Sequence, residues 1–243
     1  MNEMETKHIE LSMAEQSNLT TLLVPYKNIS IYKSKAKIKV EKTFKRTIDI
    51  IGATLGITAL IPLTIILFIV NFISKDKGPL FYSQERIGKN GKIFKMYKYR
   101  SMVEGADEKL EKYLESNEEA RKEYSLYKKL KKDPRITKIG VFLRKTSLDE
   151  FPQFINVLKG EMSLVGPRPY LKSEKEDMTY FYKYIVSCKP GITGYWQING
   201  RNDVTFNDRL QMDMEYFRTN SLKCDIKILR NTVKKVIRKE GAV

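Results

Sequence analysis

IIGATLGITALIPLTIILFIVNFIS, residues 50–74, carries no charged side chain over twenty-five positions, and its reading decides how the rest of the chain is placed. A helix needs roughly 20 apolar residues to cross a bilayer, so the run is long enough to span. Three features argue against a simple span. Pro62 sits at the centre and removes a backbone donor there. Gly52, Thr54, Gly56, Thr58 and Thr64 dilute the apolar character. Both flanks are cationic: residues 33–46 hold seven Lys or Arg against one Glu, and residues 75–100 hold eight against two acids. The positive-inside rule then assigns both ends to the cytoplasm. A helix broken at Pro62 and returning to the same face reconciles all three, each half roughly 18 Å long and reaching about mid-membrane. The backbone groups freed by Pro62 would need Thr58 or another helix as partners. The alternative is a single-pass anchor that tolerates its proline.

Working outward, residues 1–40 read as a polar, basic tail, poorly ordered or loosely docked, with no signal peptide. Residues 41–75 form the membrane helix, and 76–243 the remaining body. Within that body, Leu80-Phe81-Tyr82 and Ile93-Phe94-Lys95-Met96-Tyr97 flank Asn90-Gly91, a two-residue hairpin signal. This basic hairpin suits contact with phosphates, and equally a solvated edge protected by lysines. Residues 104–132 repeat apolar positions near a 3.6 period and predict one long polar helix, stopped by Asp133-Pro134. Residues 174–187 read as an aromatic-rich helix, suited to a membrane interface or to a packed core. Residues 221–238 place Ile226, Leu229, Val233, Val236 and Ile237 on one side of a basic amphipathic helix, a pattern that can lie on an anionic membrane. The fold class expected is α+β and mostly helical: a re-entrant membrane helix, a small body with a short β-hairpin, and membrane-surface amphipathic helices.

Forty-five Lys and Arg against 29 Asp and Glu give a net charge of +16, which predicts an anionic partner. His8 is the only histidine, so histidine-activated nucleophiles and His-rich zinc sites are excluded. Cys188 and Cys224 lack metal-ligand spacing and read as packing cysteines. Any catalysis must use carboxylates and basic groups.

Such a group stands in Arg144-Lys145-Thr146-Ser147-Leu148-Asp149-Glu150-Phe151-Pro152-Gln153-Phe154. Ser147 followed by Glu150 matches a capping box, and Pro152 suits a first helical turn. The adjacent carboxylates Asp149 and Glu150 would then lie near helix-terminal N–H groups that favour their charged forms. Arg144 lies just upstream, and Arg168 follows between Pro167 and Pro169, which restrict its aim. Carboxylates among guanidinium groups are what magnesium-assisted phosphoryl transfer uses, one attacking phosphorus while the other holds the metal. Helix capping alone is the competing reading of the pair.

From about Lys42 onward the residues add up to a family. The stretches that carry it include Lys42 to Asp49, Lys98-Tyr99-Arg100-Ser101-Met102, Asp133 to Thr137, Leu143 to Gln153, Asn156 to Pro169, Lys189 to Gly194 and Asn199-Gly200-Arg201-Asn202. In this order they resemble the bacterial sugar transferases, the monotopic polyprenyl-phosphate phosphoglycosyl transferases. The resemblance implies transfer of sugar-1-phosphate from a UDP-sugar to undecaprenyl phosphate, with release of UMP, at the cytoplasmic face of the bacterial inner membrane. Such a step initiates capsule, exopolysaccharide or O-antigen synthesis. The resemblance places the nucleophile at Asp149, magnesium (Mg2+) at Glu150, and phosphate-handling arginines at Arg144, Arg168 and Arg201. It puts the basic residue beside the nucleophile, often Lys, at Arg100, and matches Pro62 to the break in a re-entrant helix. Residues 104–132 look like the insertion of the long hexose-phosphate subgroup, so UDP-galactose or UDP-glucose is preferred over an acetamido sugar. A homo-oligomer is compatible with the sequence. The alternative function is a non-catalytic basic scaffold on the membrane surface. Nucleic acid is not an expected partner: the charge permits it, but the basic residues are spread along the whole chain and accompany a long uncharged run.

Overall fold

The computed structural model describes residues 35–73, 78–200 and 204–238. Among the described residues, those up to Lys42 fall in one unit and those from Thr43 onward in another, to which all the packing below belongs. In chain order the elements are α1 (Lys35–Ile73), β1 (Phe81–Ile87), β2 (Ile93–Tyr99), α2 (Ala106–Ser116), α3 (Glu118–Tyr127), α4 (Lys138–Thr146), α5 (Gln153–Lys159), β3 (Ser163–Val165), α6 (Tyr182–Ile185), β4 (Gly191–Thr193), α7 (Tyr195–Asn199), α8 (Phe206–Thr219) and α9 (Leu222–Arg238). Among the described residues the fold is mostly helical with two small sheets. The β1–β2 pair is antiparallel and the β3–β4 pair is parallel.

Two expectations about α1 change. Its helix already begins at Lys35, inside the segment read as a tail, and it runs on through Pro62 without a break. Proline costs the one hydrogen bond to the Thr58 carbonyl. Thr58 donates to the Thr54 carbonyl instead. The turn around Pro62 is held by packing: Leu60, Leu63 and Leu67 lie against Tyr99 and Leu143, and Thr64 hydrogen-bonds both the Leu60 carbonyl and the Tyr99 hydroxyl.

The helix is docked along its length. Lys45 pairs with buried Asp225 and donates to the Val165 carbonyl. Arg46 donates to the Val157 and Leu158 carbonyls at 2.7 and 2.8 Å. Asp49 accepts from Ser163 Oγ and the Leu164 N–H at 2.9 and 2.8 Å. Near the other end, Asn71 donates to the Gly78 carbonyl at 3.2 Å. The opposite face is apolar and open: Ile51, Leu55, Ile61, Ile65, Phe68 and Phe72 are each more than half exposed. Helix α1 is long and apolar enough to cross a membrane.

The hairpin forms as expected, with a longer turn. Residues 88–92 join its strands, Asn90 and Gly91 both at positive φ. The single helix expected over 104–132 is two helices, because Asn117 leaves the helical conformation and its side chain caps α3 by accepting from the Ala120 N–H. The segment 174–187 forms short 3-10 turns and the one-turn α6 rather than a continuous helix, with Phe181 and Ile185 buried. The last helix matches its expected span. Asp225 and Ile228 turn inward, while Ile226, Val233 and Val236 form an exposed stripe.

Asn156, fully buried on α5, ties the hairpin to the segment that carries the acidic pair. Its Oδ1 accepts from the Tyr97 N–H at 3.0 Å, and its Nδ2 donates to the Lys95 carbonyl and to Glu161, both at 2.7 Å. Asn156→Ala strands two backbone groups of β2, and each stranded buried group costs a substantial desolvation penalty. Stability should fall by roughly 2–4 kcal/mol. A denaturant midpoint measured in detergent checks this, and an unchanged midpoint contradicts it.

Candidate active site

The pair Asp149–Glu150 does not start a capped helix. Ser147 is instead the left-handed residue that closes α4 (φ 57), and its side chain makes no cap bond to the turn that follows. Leu148–Glu150 form a 3-10 turn, and α5 begins only at Gln153 with Pro152 as its N-cap residue. The capping box fails because the residue meant to cap α5 has been used to end α4. The result is a tight turn that presses Asp149 inward, 6% exposed, and leaves the Glu150 side chain about one-third exposed.

The electrostatics follow from that turn. Burial pushes the Asp149 carboxyl above its usual range, which Lys98 and Arg144 oppose and Glu150 reinforces. The expected helix-end stabilisation of its charged form is therefore outweighed by desolvation. Lys98 Nζ lies 2.9 Å from Glu150 Oε1 and 3.8 Å from Asp149 Oδ2. It clasps both carboxylates from β2. Arg144, at the end of α4, donates through Nε to Ser101 Oγ at 3.0 Å. Burial lowers its basicity, and Asp149 is the largest of the charges that oppose that.

Arg100, expected beside Asp149, lies elsewhere. Its guanidinium packs against Gly78 and donates to Asn71 Oδ1 at 3.4 Å, at the end of α1. Lys98 holds the position instead. The strand period gives the signal for it: Phe94 and Met96 face inward, and Lys98 is next on that face.

Arg168 sits in a second basic cluster. Its guanidinium carbon stands 5.9 Å from the Trp196 ring centroid and 6.0 Å from that of Tyr170, with one nitrogen 3.8 Å from Glu174. Its backbone N–H and the Tyr170 hydroxyl both donate to Asp213 Oδ2, at 3.0 and 2.8 Å. Arg86 links the clusters. Burial lowers it to about 10, with Arg168 lowering it further and Glu174 and Glu150 among the charges that oppose this. Arg201 lies outside the described residues.

Helix α8, absent from the sequence reading, supplies Arg209 and Asp213. Its signals were there: Thr205 and Asp208 form a capping box, and Phe206, Leu210, Met214 and Phe217 recur at helical spacing. Among the described residues no group of three or more His, Cys, Asp or Glu is gathered as a metal cluster. Magnesium commonly takes one or two carboxylates and completes its shell with water and substrate phosphates. The adjacent Asp149 and Glu150 fit that demand.

A docked apolar helix and a buried, cation-clasped acidic pair are thus carried by one fold. The chain belongs to the bacterial sugar transferase family, whose description matches residues 40–239. It is 48% identical over 198 residues to a UDP-galactose-lipid carrier transferase of Erwinia amylovora, covering 82% of this chain and 41% of that protein. It is 46% identical over 198 residues to an undecaprenyl-phosphate galactose phosphotransferase of Salmonella typhimurium strain LT2, again 82% and 41%. An exopolysaccharide production protein, ExoY, of Sinorhizobium fredii is 41% identical over 199 residues, covering 82% of this chain and 87% of that protein. The chain thus spans about two-fifths of the length of the first two relatives and most of the third.

Proposed function

We propose that this protein transfers hexose-1-phosphate from a UDP-sugar, UDP-galactose or UDP-glucose, to undecaprenyl phosphate, initiating exopolysaccharide or capsule synthesis. The observation that carries the reading is the buried Asp149 carboxylate clasped with Glu150 by Lys98 and backed by Arg144. Asp149 attacks the phosphorus that bears the sugar. An Asp149 oxygen–phosphorus bond forms, the bond to the UMP oxygen breaks, and UMP leaves with that electron pair. The lipid phosphate then attacks the same phosphorus and releases Asp149. Lys98 and Arg144 favour the ionised form of Asp149 against its burial and offset the negative charge gathered around the phosphorus. Glu150, with Asp149 beside it, would hold Mg2+, which supplies Lewis-acid neutralisation of the diphosphate. A panel of UDP-sugars incubated with undecaprenyl phosphate and magnesium, reading UMP release, tests the assignment. No release with any of them would sink it.

The same reading places the protein on one leaflet. From Lys45 to Asn71 α1 rises roughly 39 Å at 1.5 Å per residue, longer than the ~30 Å hydrocarbon layer. Contacts near both ends are nevertheless to the body that begins at Thr43. A helix crossing the bilayer would need that body on both sides, so the open apolar face of α1 and the stripe on α9 are read as seated in the cytoplasmic leaflet of the inner membrane. In a variant with Cys188 and Cys224 replaced by Ser, Thr47→Cys and Pro79→Cys should both resist an impermeant thiol reagent in intact cells. Labelling at one of the two means a true span.

A further inference from the structure

Lys98 and Arg144 both favour the charged form of Asp149, and they are held in different ways. Lys98 pairs with the two carboxylates directly. Arg144 does not: Asp149 is the largest of the charges that sustain its basicity, yet no ion pair joins the two among the described residues. The one bond that holds the Arg144 side chain runs from Nε to Ser101 Oγ, at 3.0 Å. The two terminal nitrogens of the guanidinium make no hydrogen bond among the described residues and are not buried.

Ser101 is a fixed anchor for such a bond. It stands two residues past the end of β2 and is 8% exposed. Its carbonyl accepts from the Thr137 N–H at 3.1 Å, and Thr137 Oγ caps α4 by accepting from the Gly140 N–H at 2.9 Å. The first turn of α4 therefore lies on Ser101, backbone against backbone: a Cβ on Gly140 would overlap the Ser101 carbonyl oxygen. Residues four apart share one face of a helix, so the face that meets Ser101 at Gly140 carries Arg144 over the same residue. The neighbouring segment is braced as well. The Val103 N–H donates to the Arg135 carbonyl at 2.9 Å, and the Arg135 guanidinium pairs with buried Asp133 at 2.7 Å. A guanidinium tied at Nε keeps its terminal N–H groups as a planar fork, the shape that meets two oxygens of one phosphate.

We propose that Ser101 is a positioning residue: its hydroxyl holds the Arg144 guanidinium by Nε so that the terminal fork faces the phosphorus that Asp149 attacks. This rests on the transfer reading above and adds Ser101 to it, with Gly140 as the close approach that lets α4 reach the hydroxyl. The end of β2 then sets both cations of the site, Lys98 directly and Arg144 through Ser101.

The test is turnover of the full chain in detergent, read as UMP release with UDP-galactose or UDP-glucose, undecaprenyl phosphate and magnesium. Ser101→Ala removes the acceptor and a single oxygen atom of volume. Turnover should fall about tenfold or more, with the KM for the UDP-sugar within about threefold of the parent, because a misaimed fork is felt most as charge gathers at the attacked phosphorus. Ser101→Thr keeps the hydroxyl and should recover most of the loss. Arg144→Lys has no Nε–H to be tied, so adding Ser101→Ala to it should change turnover by less than about twofold. Unchanged turnover in Ser101→Ala overturns the role. An equal loss in the parent and the Arg144→Lys backgrounds also overturns it, and makes Ser101 a structural residue of the β2 end. A parent that releases no UMP removes the transfer reading and this role with it, whereas an active parent beside an equally active Ser101→Ala removes this role alone.

Discussion

Asp149→Asn should abolish transfer, lowering turnover by about 10⁴-fold or more, the scale on which loss of a covalent nucleophile acts, while leaving the fold intact or firmer. The stability part follows from the environment. Burial raises the Asp149 carboxyl in the folded protein above its unfolded value. A carboxyl raised in this way favours the folded state at low pH and loses that contribution as pH rises through its folded pKa. Above the ordinary carboxylate range, ionising Asp149 therefore costs the folded protein a stability that the neutral amide does not lose. The melting temperature of Asp149→Asn should match or exceed that of the parent at pH 7, and the difference should shrink as pH falls towards the ordinary carboxylate range. A variant that melts well below the parent at pH 7, or that retains turnover within tenfold, would show that Asp149 is a structural residue of the turn.

Lys98→Met should be the next most damaging change, costing about 10²–10³-fold in turnover, comparable to removal of a preorganised electrostatic donor. Lys98 is the largest of the charges that hold Asp149 down against its burial. Without it the carboxyl rises further, so the acid limb of the pH–rate profile should move to higher pH. Lys98→Arg should restore part of the rate and return the limb towards its original position. Arg100→Met, by contrast, should stay within about tenfold of the parent, because Arg100 lies against Gly78 and Asn71 and not against the acidic pair. A larger loss at Arg100 than at Lys98, with no displacement of the acid limb in Lys98→Met, would reverse these assignments.

The contrast between these two residues shows what was legible in the sequence. Arg144, Asp149 and Glu150 were visible because they crowd one short stretch, and the hairpin was visible in its Asn-Gly turn and apolar flanks. Likeness of motif points to Arg100, although strand alternation puts Lys98 on the inward face after Phe94 and Met96. The capping box at Ser147 was a local pattern overridden from outside: Ser147 was needed in the left-handed conformation to close α4, and no local spacing shows which of two helices will claim a residue. Pro62 misled in a similar way. The cost of one backbone hydrogen bond is visible locally, but the compensating contacts of Leu60, Leu63 and Leu67 with Tyr99 and Leu143 come from residues far along the chain. The split of 104–132 was written in Asn117, a strong N-cap residue placed mid-run. Asp213 and Arg209 were hidden by their charge: a reading that sends charged residues to solvent passes over a helix that buries two of them, 0% and 2% exposed.

The covalent role of Asp149 is the centre of this account, and isotope exchange tests it most directly. The protein is incubated with UDP-sugar, magnesium and labelled UMP, with no lipid acceptor present. A covalent sugar-phosphate on Asp149 makes the first half-reaction reversible by itself, so label should enter UDP-sugar in the parent, be absent in Asp149→Asn, and be weakened in Glu150→Gln with a raised magnesium requirement. Exchange that appears only when undecaprenyl phosphate is added would contradict the account and mean direct transfer between the two substrates.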